Sequence, residues 1–599
     1  MSSYAKWWRE LVGRLFTAKK DQSRNELDKK LVFGLLKKRI PSFKQVKYLP
    51  RFLSPRELWI LRGAFLVLLA GVIWWGAHWW LYGLKQYPQA GGVYTEGLVG
   101  QPRLVNPILA PLNATDYDIS RLIFRGLLQY GNDSQLHPDL AESYEISGDG
   151  KAYTIYLRRD VVWQDSEQFD ADDVLFTVAA IKNPYLQSPM LSSFYGVTAE
   201  KLDPYTVKFT LAEAYAPFLS VLTCGILPEH IWNKIPDNQF SLAEYNLKPI
   251  GNGPFKFKSL VKDKMGFIKS YTLERNSNYS GQTAYLDDIS FKFFTSPEEA
   301  AVALKSRNID GLLCSASDWQ EKIGSPRSLK QQKIHLPQYT ALFFNQTKNT
   351  ALANYNVRAA LTLATNRQEI IDQVLNGDGE MIQGPITRGT LGYNDKLEPY
   401  EYNVEKAKTL LDKQGWKINT DDNLRYKSGQ ALTITLTTVG TAEYLKAAEI
   451  IKQNWERLNL KVEVRPLPAE SFQRDILRPH DYEILLYSVI SGFDPDPYPI
   501  WHSSQIDNGL NLALYRNKKV DVLLSDARGE TSYEKRGAKY REAQTLIQND
   551  LPAIFLYNPT HIYFFDKRLR GSDFTNLSTP QDRFNGAQAW YLKVKRSLK

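Results

Sequence analysis

The sequence predicts an α/β protein of two lobes that follows a single membrane-spanning helix. Three observations lead to this fold class: an apolar run without charged residues at 63–84, a long chain after it, and strand and helix patterns that alternate in the second half. Because single hydrophobic cores stop growing at about 250 to 300 residues, the chain after the apolar run needs at least two lobes. Two lobes can enclose a cleft.

The first 58 residues form a basic segment. They hold fifteen Lys and Arg against five Asp and Glu, which accounts for the whole formal net charge of +10 of the 599-residue chain. The rest of the chain is formally neutral, so the charge does not indicate nucleic-acid binding. Positive charge before an apolar span keeps that end on the cytoplasmic side and attracts anionic lipid headgroups. We therefore predict a basic cytoplasmic segment at 1–58.

Residues 59–84 are predicted to be the transmembrane anchor. The run GAFLVLLAGVIWWGAHWWLYGL at 63–84 contains no Asp, Glu, Lys or Arg and reaches the length of about 20 residues that a spanning helix needs. Aromatic residues crowd its second half, as at an outer membrane interface: Trp74, Trp75, Trp79, Trp80 and Tyr82. A cleavable secretory signal is the alternative, but the run starts too far into the chain and lacks a clear cleavage site. The expected topology is single-pass in the cell membrane, with a cytoplasmic N-terminus and an extracytoplasmic body.

The stretch LAESYEISGDGKAYTIYLRRDVVWQD at 140–165 predicts a β-hairpin. SGDG at 147–150 has the residues of a tight turn. Apolar residues then alternate with polar ones, as in a half-buried strand: Tyr153, Ile155 and Leu157.

A capped helix is predicted directly after the hairpin. Asp170 is placed to cap it, and Asp172 and Asp173 fall in its first turn. Acidic side chains at this end compensate the helix dipole, so we interpret them as structural rather than catalytic.

The second half of the chain gives the clearest topological pattern. Strand, helix, strand, short helix and strand are predicted in turn at 432–439, 442–458, 461–467, 470–476 and 482–489. Such units form parallel sheets, and ligands bind beyond the carboxyl ends of the strands. The loop after the last strand, SGFDPDPYPIW at 491–501, is therefore the segment most expected to face a pocket.

A passage between the lobes is predicted near residue 295. The strand DDISFKFF at 287–294 is followed by Ser296, Pro297 and Glu299, which have the pattern of a capping box with proline at the first helical position. The return strand is expected near IFLYNPTHIYFF at 554–565. Two crossings permit the lobes to open and close without unfolding.

The hairpin region, together with FDADDVLFT after it, resembles the signature region of the extracytoplasmic solute-binding proteins of peptide- and nickel-type ABC importers, the oligopeptide- and dipeptide-binding family. Further matching motifs follow in the family's order, and the resemblance covers about 91–571: ILPEHIW (226–232), PIGNGPFKF (249–257), YLDDISFKFF (285–294), VRAALTLATNRQEII (357–371), NVEKAKTLLDKQGW (403–416) and DLPAIFLYNP (550–559).

The resemblance implies the two-lobed type II fold of periplasmic binding proteins, known as the Venus-flytrap fold, with an extra subdomain in the N-lobe. The implied organisation after the anchor is an N-lobe at 85–294 with its subdomain at about 125–235, a C-lobe at 295–558, and a return to the N-lobe at 559–599. No cysteine follows the span where many members of the family carry a lipid anchor.

The function that the resemblance implies is capture of a solute, with an oligopeptide expected and other small oligomeric or sugar-like solutes left open. Closure of the two lobes would hold the solute, and ABC permease subunits would receive it. The alternative is an envelope sensor or scaffold that uses the same binding fold without transport. A hydrolase would rest on Asp494 and Asp496 alone, since no catalytic triad or phosphate-binding glycine loop is present. We therefore expect no enzymatic activity and no cofactor.

The expected ligand-binding residues come mainly from the loop at 491–501. In peptide-binding relatives this loop carries an aspartate that pairs with the ligand's α-amine, and Ser491 stands at that position here. Either Asp494 or Asp496 substitutes for it, or the ligand lacks that amine, because a buried ammonium needs a counter-charge. For each candidate the alternative is a turn or core role: Asn106, Trp163, Phe344, Asn345, Ser491, Phe493, Asp494, Asp496, Tyr498 and Trp501.

The two cysteines, Cys224 and Cys314, lie in apolar sequence and are predicted to be buried thiols. A disulfide between them is chemically permitted outside the cell, and the sequence leaves open whether they pair. No close histidine pair and no CxxC motif is present, so no metal site is expected.

Overall fold

The computed structural model describes residues 53–82, 85–131, 133–315, 323–324, 327–468, 472–575 and 577–597. The chain divides into two compact units, one of residues 1–87 with 595–599 and one of residues 88–594. Residues 1–52 of the predicted basic segment lie outside the described residues.

The helices of the described residues, numbered in chain order, are α1 (Pro55–Tyr82), α2 (Ala114–Ile123), α3 (Ala171–Lys182), α4 (Phe218–Val221), α5 (Glu229–Trp232), α6 (Pro297–Lys305), α7 (Thr350–Ala353), α8 (Tyr355–Ala364), α9 (Arg367–Val374), α10 (Val404–Lys413), α11 (Ala442–Glu456), α12 (Tyr498–Trp501), α13 (Gln505–Asn508), α14 (Lys518–Arg528) and α15 (Tyr533–Asp550). Short 3-10 helices occur at Ala110–Leu112, Pro184–Leu186, Leu191–Phe194, Asp237–Leu242, Glu244–Asn246, Pro580–Phe584 and Ala587–Ala589, and a π-helical turn at Gln473–Leu477.

The strands are β1 (Lys85–Gln89), β2 (Val93–Val99), β3 (Leu128–Tyr130), β4 (Leu136–Pro138), β5 (Ala141–Ile146), β6 (Ala152–Leu157), β7 (Val197–Asp203), β8 (Thr206–Leu211), β9 (Phe255–Lys262), β10 (Ile268–Arg275), β11 (Asp288–Phe294), β12 (Gly311–Ser315), β13 (Leu329–His335), β14 (Gln338–Phe344), β15 (Gly379–Met381), β16 (Lys417–Ile418), β17 (Arg425–Lys427), β18 (Gln430–Ala431), β19 (Thr433–Val439), β20 (Lys461–Leu467), β21 (Ile484–Ile490), β22 (Ala553–Asp566) and β23 (Lys593–Ser597).

The first unit contains α1, which begins at a capping pair. The Ser54 amide donates to the Glu57 carboxylate at 2.8 Å, and the Glu57 amide donates back to Ser54 Oγ at 3.4 Å. Its stretch Pro55–His78 has a mean hydropathy of 1.9 and no buried part. Among the described residues, this is the one helix long and apolar enough to cross a membrane.

The second unit is built on a twelve-stranded mixed sheet. Ten strands follow one another across it in the order β20-β19-β21-β14-β22-β12-β2-β11-β10-β9, and β13 and β15 also pair with β22. Strands β19, β20 and β21 are parallel, which confirms the βαβαβ pattern of the sequence. The α/β fold class is confirmed with it.

The predicted hairpin and capped helix form part of a separate four-stranded sheet region, with strand order β5-β6-β8-β7. Strands β5 and β6 pair antiparallel, and Gly150 in their turn has φ of 68°, a conformation that glycine adopts without strain. Asp170 caps α3, and Asp173 completes the capping box. The Asp173 carboxylate also accepts the Glu229 amide and is buried, so it holds the loop before α5 in place.

The second half of the unit, from β14 to the middle of β22, is a sheet covered on both faces. Alternate residues of β14 enter two different cores: Leu342 and Phe344 pack on one face with residues of α8, α9 and α11. Ala341 and Phe343 pack on the other face with residues of α12, α14 and α15. This alternation follows from the two-residue period of a strand.

One long strand, β22, joins the two halves. Its first part pairs with β14, up to the register Thr340↔Tyr557, and its later part pairs with β12 and β13, from His335↔Thr560 onward. The return strand therefore lies where the sequence placed it. The first half has its own core, which contains Tyr563 and Phe565 from the end of this strand.

The outward passage does not lie near residue 295. The predicted strand and capped helix are present as β11 and α6, with Ser296 accepting the Glu299 amide. However, the chain then returns to the same sheet, because β12 pairs in parallel with β2. The passage to the second half lies at Leu336 and Pro337, between β13 and β14.

A buried network of charged and hydroxyl groups ties the ends of the first half together. Arg583 donates from Nε to Glu96 at 3.1 Å and pairs with Asp118 at 2.7 Å, and all three residues are buried. Tyr563 Oη donates to Glu96 at 2.7 Å and lies 2.8 Å from Tyr94 Oη. Two carboxylates thus share one guanidinium.

The burial of Glu96 in this network predicts that the stability of the protein depends on pH. Burial raises the pKa of Glu96 from 4.5 to about 7, against the opposing effect of Arg583. Between these two pH values the folded protein holds a proton that the unfolded chain releases, so the contribution of Glu96 to stability is full below pH 4.5 and is lost as pH rises through about 7. One pKa unit corresponds to about 1.4 kcal/mol.

Glu96→Gln is expected to remove that dependence. Glutamine can accept from Arg583 and donate to Tyr563 Oη, whose own proton then turns to Tyr94, so the variant mimics the protonated acid. We expect the unfolding free energies of the two proteins to be similar at pH 5, and the glutamine variant to become the more stable by about 1 to 3 kcal/mol at pH 8. Urea unfolding followed by tryptophan fluorescence measures this. A difference that stays constant between pH 5 and pH 8 contradicts the assignment.

The cysteines do not form a disulfide. Cys224 and Cys314 are both thiols, as predicted, and each residue is half-buried rather than fully buried.

Candidate functional site

The loop at 491–501 lies where the two halves of the second unit meet. It follows β21, and the amide and Oγ of Ser491 both donate to the carbonyl of Pro337, at the passage between the halves, at 2.8 and 3.0 Å. The ring of Phe493 contacts the ring of Tyr130, from the first half, edge to face at 5.2 Å between centroids. The loop thus contributes to a surface formed by both halves.

Both aspartates of this loop pair with arginines of the same half. Asp494 accepts from Arg536 on α15 at 2.7 Å, and Asp496 accepts from Nε of Arg528 on α14 at 2.8 Å. Burial raises the pKa of Asp494 to about 6, although Arg536 opposes the shift. Because each carboxylate already has a cationic partner, neither stands ready as a counter-charge for a ligand ammonium.

Arg528 also joins the two halves. Its guanidinium lies 3.9 Å from the ring centroid of Tyr498 and 4.9 Å from that of Tyr215, which belongs to the first half. Its carbonyl accepts the Ala216 amide at 2.7 Å. The end of α14 therefore contacts the first half through both a cation–π stack and a backbone hydrogen bond.

A cavity of about 240 Å³ lies beside this junction, within the first half. We call it the α2 pocket because four of its lining residues belong to the α2 helix and its C-cap. The others come from the turn before α2 and from two distant segments, and the full lining is Pro107, Pro111, Tyr117, Ser120, Arg121, Phe124, Met190, Ser193, Ser220, Val221, Thr223, Cys224 and Gly225. Tyr130, whose ring contacts Phe493, donates from Oη to Ser220 at 2.9 Å. Tyr130 therefore links the pocket wall to the contact between the halves.

The pocket contains one charged group that is already paired. Arg121 forms an ion pair with Asp582 and donates to the Thr223 carbonyl at 3.4 Å, while its Nε has no partner. Burial raises the pKa of Cys224 to about 12, so its thiol stays neutral and is neither a nucleophile nor a metal ligand at ordinary pH.

The close approach of the pocket walls depends on a glycine. A Cβ at Gly225 would lie 2.8 Å from the Cβ atoms of both Phe124 and Pro107, which is too close for a real side chain. The chain therefore needs glycine directly after Cys224.

A larger cavity of about 420 Å³ lies elsewhere in the first half, between β13 and residues 569–574. Its lining includes Lys330, Phe565 and Arg570 and no residue of the second half. Of these two cavities, the α2 pocket is the one that adjoins the contact between the halves, so we take it as the candidate functional site.

Five of the predicted site residues lie together at the junction: Ser491, Phe493, Asp494, Asp496 and Tyr498. Their contact with a solute remains a prediction.

Three predicted aromatic residues lie in cores instead. Trp163 is fully buried and donates from Nε1 to Asp173 at 3.1 Å. Phe344 and Trp501 are fully buried and pack on opposite faces of the second half's sheet. For these three the core alternative is the one that the structure supports, because no part of their rings reaches a surface.

The two predicted asparagines are turn residues. Asn345 is buried, accepts two backbone amides from Thr347 and Lys348, and donates to the His480 carbonyl. Asn106 is buried and accepts the Ile108 amide at 3.2 Å. It directly precedes Pro107 of the pocket wall, and its Nδ2 has no partner.

The residues that sequence reasoning missed are those of the α2 pocket. The nearest signal in the sequence is Cys224 in the apolar run VLTCGIL, which predicts a buried thiol and no site. Among the described residues, no group of three or more His, Cys, Asp or Glu could hold a metal ion.

The chain is similar to known extracellular solute-binding proteins. A family model described as bacterial extracellular solute-binding proteins, family 5 middle, matches residues 135–510. The oligopeptide-binding protein AppA of Bacillus subtilis (strain 168) is 28% identical over 516 residues, which are 84% of this chain and 93% of that protein. The dipeptide-binding protein of Escherichia coli (strain K12) is 26% identical over 503 residues, 79% of this chain and 90% of that protein.

Solved structures agree with this. The structure of AppA from Bacillus subtilis in complex with a nonapeptide matches with a TM-score of 0.72 and 28% identity, over 85% of this chain and 100% of that one. The structure of NikZ from Campylobacter jejuni in complex with Ni(L-His) matches with a TM-score of 0.71 and 27% identity, over 83% and 99%. The predicted resemblance and the type II binding-protein fold are thereby confirmed.

Proposed function

Because the chain belongs to family 5 of the bacterial extracellular solute-binding proteins, a family of binding proteins rather than enzymes, we propose that it captures an oligopeptide between two lobes for an ABC importer. The observation that carries this proposal is the α2 pocket, which adjoins the contact between Tyr130 and Phe493 of opposite halves. Relatives named for oligopeptides and dipeptides support the choice of solute.

The proposed lobes follow from the sheet. The first lobe comprises residues 88–335 and 560–594, and the second comprises residues 338–557. The chain passes between them at Leu336 and Pro337 and within β22 at Asn558 and Pro559. Two short passages next to prolines allow a hinge motion while each core stays intact.

Closure of the lobes is supported by contacts that need both of them. The Phe493–Tyr130 contact and the Arg528–Tyr215 stack each join one lobe to the other. Such contacts exist only when the lobes are close, so they favour the closed state, and a solute that touches both lobes favours it further.

We further propose that α1 anchors the protein in the membrane, with the binding lobes outside the cell. Its stretch Pro55–His78 has the length and hydropathy of a span. The anchor would keep the lobes near ABC permease subunits, which would take up the solute on lobe opening.

Calorimetric titration of the full-length protein in detergent micelles with tripeptides to nonapeptides tests the proposal. We expect binding of at least one length class, together with slower hydrogen exchange of the Ala216 amide, because that amide donates to Arg528 across the junction. Peptides that neither release heat nor change this exchange contradict peptide capture. Binding without slower exchange contradicts closure alone.

A further inference from the structure

We propose that the α2 pocket selects an uncharged aromatic side group of the solute. This inference rests on the proposed function, since it specifies which part of the solute enters the pocket. Three properties of the pocket carry it: its size, its walls and its balanced charge.

The size of the pocket suits a single substituted ring. Its volume is about 240 Å³, whereas an apolar cavity of about 150 Å³ in another protein takes up benzene. A ring with a short polar or apolar substituent therefore fits it.

Much of the pocket wall is apolar. The side chains of Pro107, Pro111, Phe124, Met190 and Val221 are apolar, and methionine sulfur packs well against aromatic rings.

The hydroxyls of the pocket are largely engaged within the protein. Ser120 Oγ donates to the Tyr117 carbonyl, Thr223 Oγ1 donates to the Ser220 carbonyl, and Ser220 Oγ accepts from Tyr130. Few polar groups of the wall are therefore left for a polar ligand.

The single charge of the pocket disfavours charged ligands of either sign. Asp582 already balances the charge of Arg121, so a ligand carboxylate that reached the unpartnered Nε would add a second, unbalanced negative charge, and a ligand ammonium would meet the Arg121 guanidinium. Burying an unpaired charge costs far more than burying a neutral ring. The pocket should therefore accept neutral groups and reject both acids and amines.

Three small probes of similar shape test this on the full-length protein in detergent micelles: benzyl alcohol, benzoate and benzylammonium. Titration calorimetry should show binding of benzyl alcohol, with benzoate and benzylammonium at least tenfold weaker. Ser193→Phe fills the pocket from its wall and should abolish binding of the probe. Any heat that remains with this variant then measures uptake of the probe by the detergent. Ser192→Phe, at the neighbouring exposed residue outside the pocket lining, should bind like the unmodified protein.

Asp582→Asn provides a second, independent arm. Asparagine still accepts the Thr579 amide, which the carboxylate now accepts at 2.7 Å, but it leaves Arg121 without a counter-charge. We expect benzoate to bind at least tenfold more tightly to this variant. Asp288→Asn, which removes a surface ion pair with Lys258, should leave benzoate binding unchanged.

The inference is overturned if benzyl alcohol does not bind, if a charged probe binds as tightly as benzyl alcohol, or if Ser193→Phe binds it as well as Ser192→Phe does. The proposed function is tested separately by the peptide titration. If no peptide binds but the three probes behave as expected, peptide capture fails and the selectivity of the pocket stands. If peptides bind but the probes show no preference, peptide capture stands and the proposed selectivity of the pocket fails.

Discussion

Arg583→Met is expected to destabilise the second unit by about 3 to 5 kcal/mol, because it leaves two buried carboxylates without their shared cation. The Arg583 side chain is 1% exposed and lies between Glu96, which is 0% exposed, and Asp118, which is 6% exposed. Methionine fills similar space, so lost packing contributes less than lost charge balance. Urea unfolding followed by tryptophan fluorescence measures the effect, and Trp590, whose ring is 5.8 Å from that of Phe584, is a reporter close to Arg583.

Two further variants separate charge from packing. Adding Glu96→Gln and Asp118→Asn to Arg583→Met removes both carboxylates and should restore a large part of the lost stability, since neutral buried groups cost less than unpaired ions. Arg568→Met is the matched control. Arg568 pairs with Asp566 at 2.8 Å, but its side chain is 68% exposed, so we expect the unfolding free energy to change by no more than about 0.5 kcal/mol. Equal loss in Arg583→Met and Arg568→Met would refute the buried-network account.

The parts of the fold that the sequence predicted correctly are local. The hairpin β5–β6, the capping box of α3 and the alternation of β19, α11, β20 and β21 each depend on residues within a few positions of one another. Turn residues, caps and apolar periods encode such elements directly. The return strand β22 was found for the same reason, as a long apolar run.

The passage between the lobes was misplaced because its position depends on long-range pairing. The five residues of β12 insert beside β2, more than two hundred residues earlier in the chain, at Gly311↔Glu96. No local pattern distinguishes this return from a crossing into the other lobe. The strand and helix before it were predicted correctly, and only their destination was wrong.

The site was predicted in part for a similar reason. The rule that ligands lie beyond the carboxyl ends of parallel strands led to the loop of Phe493 and Asp494, and that loop does reach the other lobe. The sequence shows that Trp163 and Trp501 are aromatic but not which surface their rings face, and both are buried. The α2 pocket escaped detection because its walls come from segments about a hundred residues apart.

Arg528→Ala is expected to weaken solute binding by about 10- to 100-fold. Arg528 stacks between Tyr498 of its own lobe and Tyr215 of the other, and it neutralises Asp496. Loss of the guanidinium removes a cation–π contact of about 0.5 to 2 kcal/mol across the junction. It also leaves the half-buried Asp496 carboxylate at the junction without its cation. Under the proposed closure, the contact with Tyr215 forms only in the closed state, so its loss lowers the population of that state and reduces the apparent affinity by the same factor. Calorimetry with the tightest peptide from the length series measures the change.

The comparison with Arg388→Ala determines whether this effect comes from the junction. Arg388 makes the same two kinds of contact, an ion pair with Glu380 at 3.0 Å and a stack on Tyr393 at 5.6 Å, but all within the second lobe. Its replacement should leave affinity unchanged. Tyr215→Leu keeps the Arg528–Asp496 pair and removes what the Tyr215 side chain contributes across the junction, which is the stack on Arg528 and the hydroxyl that bonds to Asp496. It should weaken binding by about 2- to 10-fold and speed exchange of the Ala216 amide. If Tyr215→Leu and Arg388→Ala bind alike, the Tyr215 side chain does not hold the lobes together, and closure must depend on the Phe493–Tyr130 contact, the Ala216–Arg528 hydrogen bond and the solute.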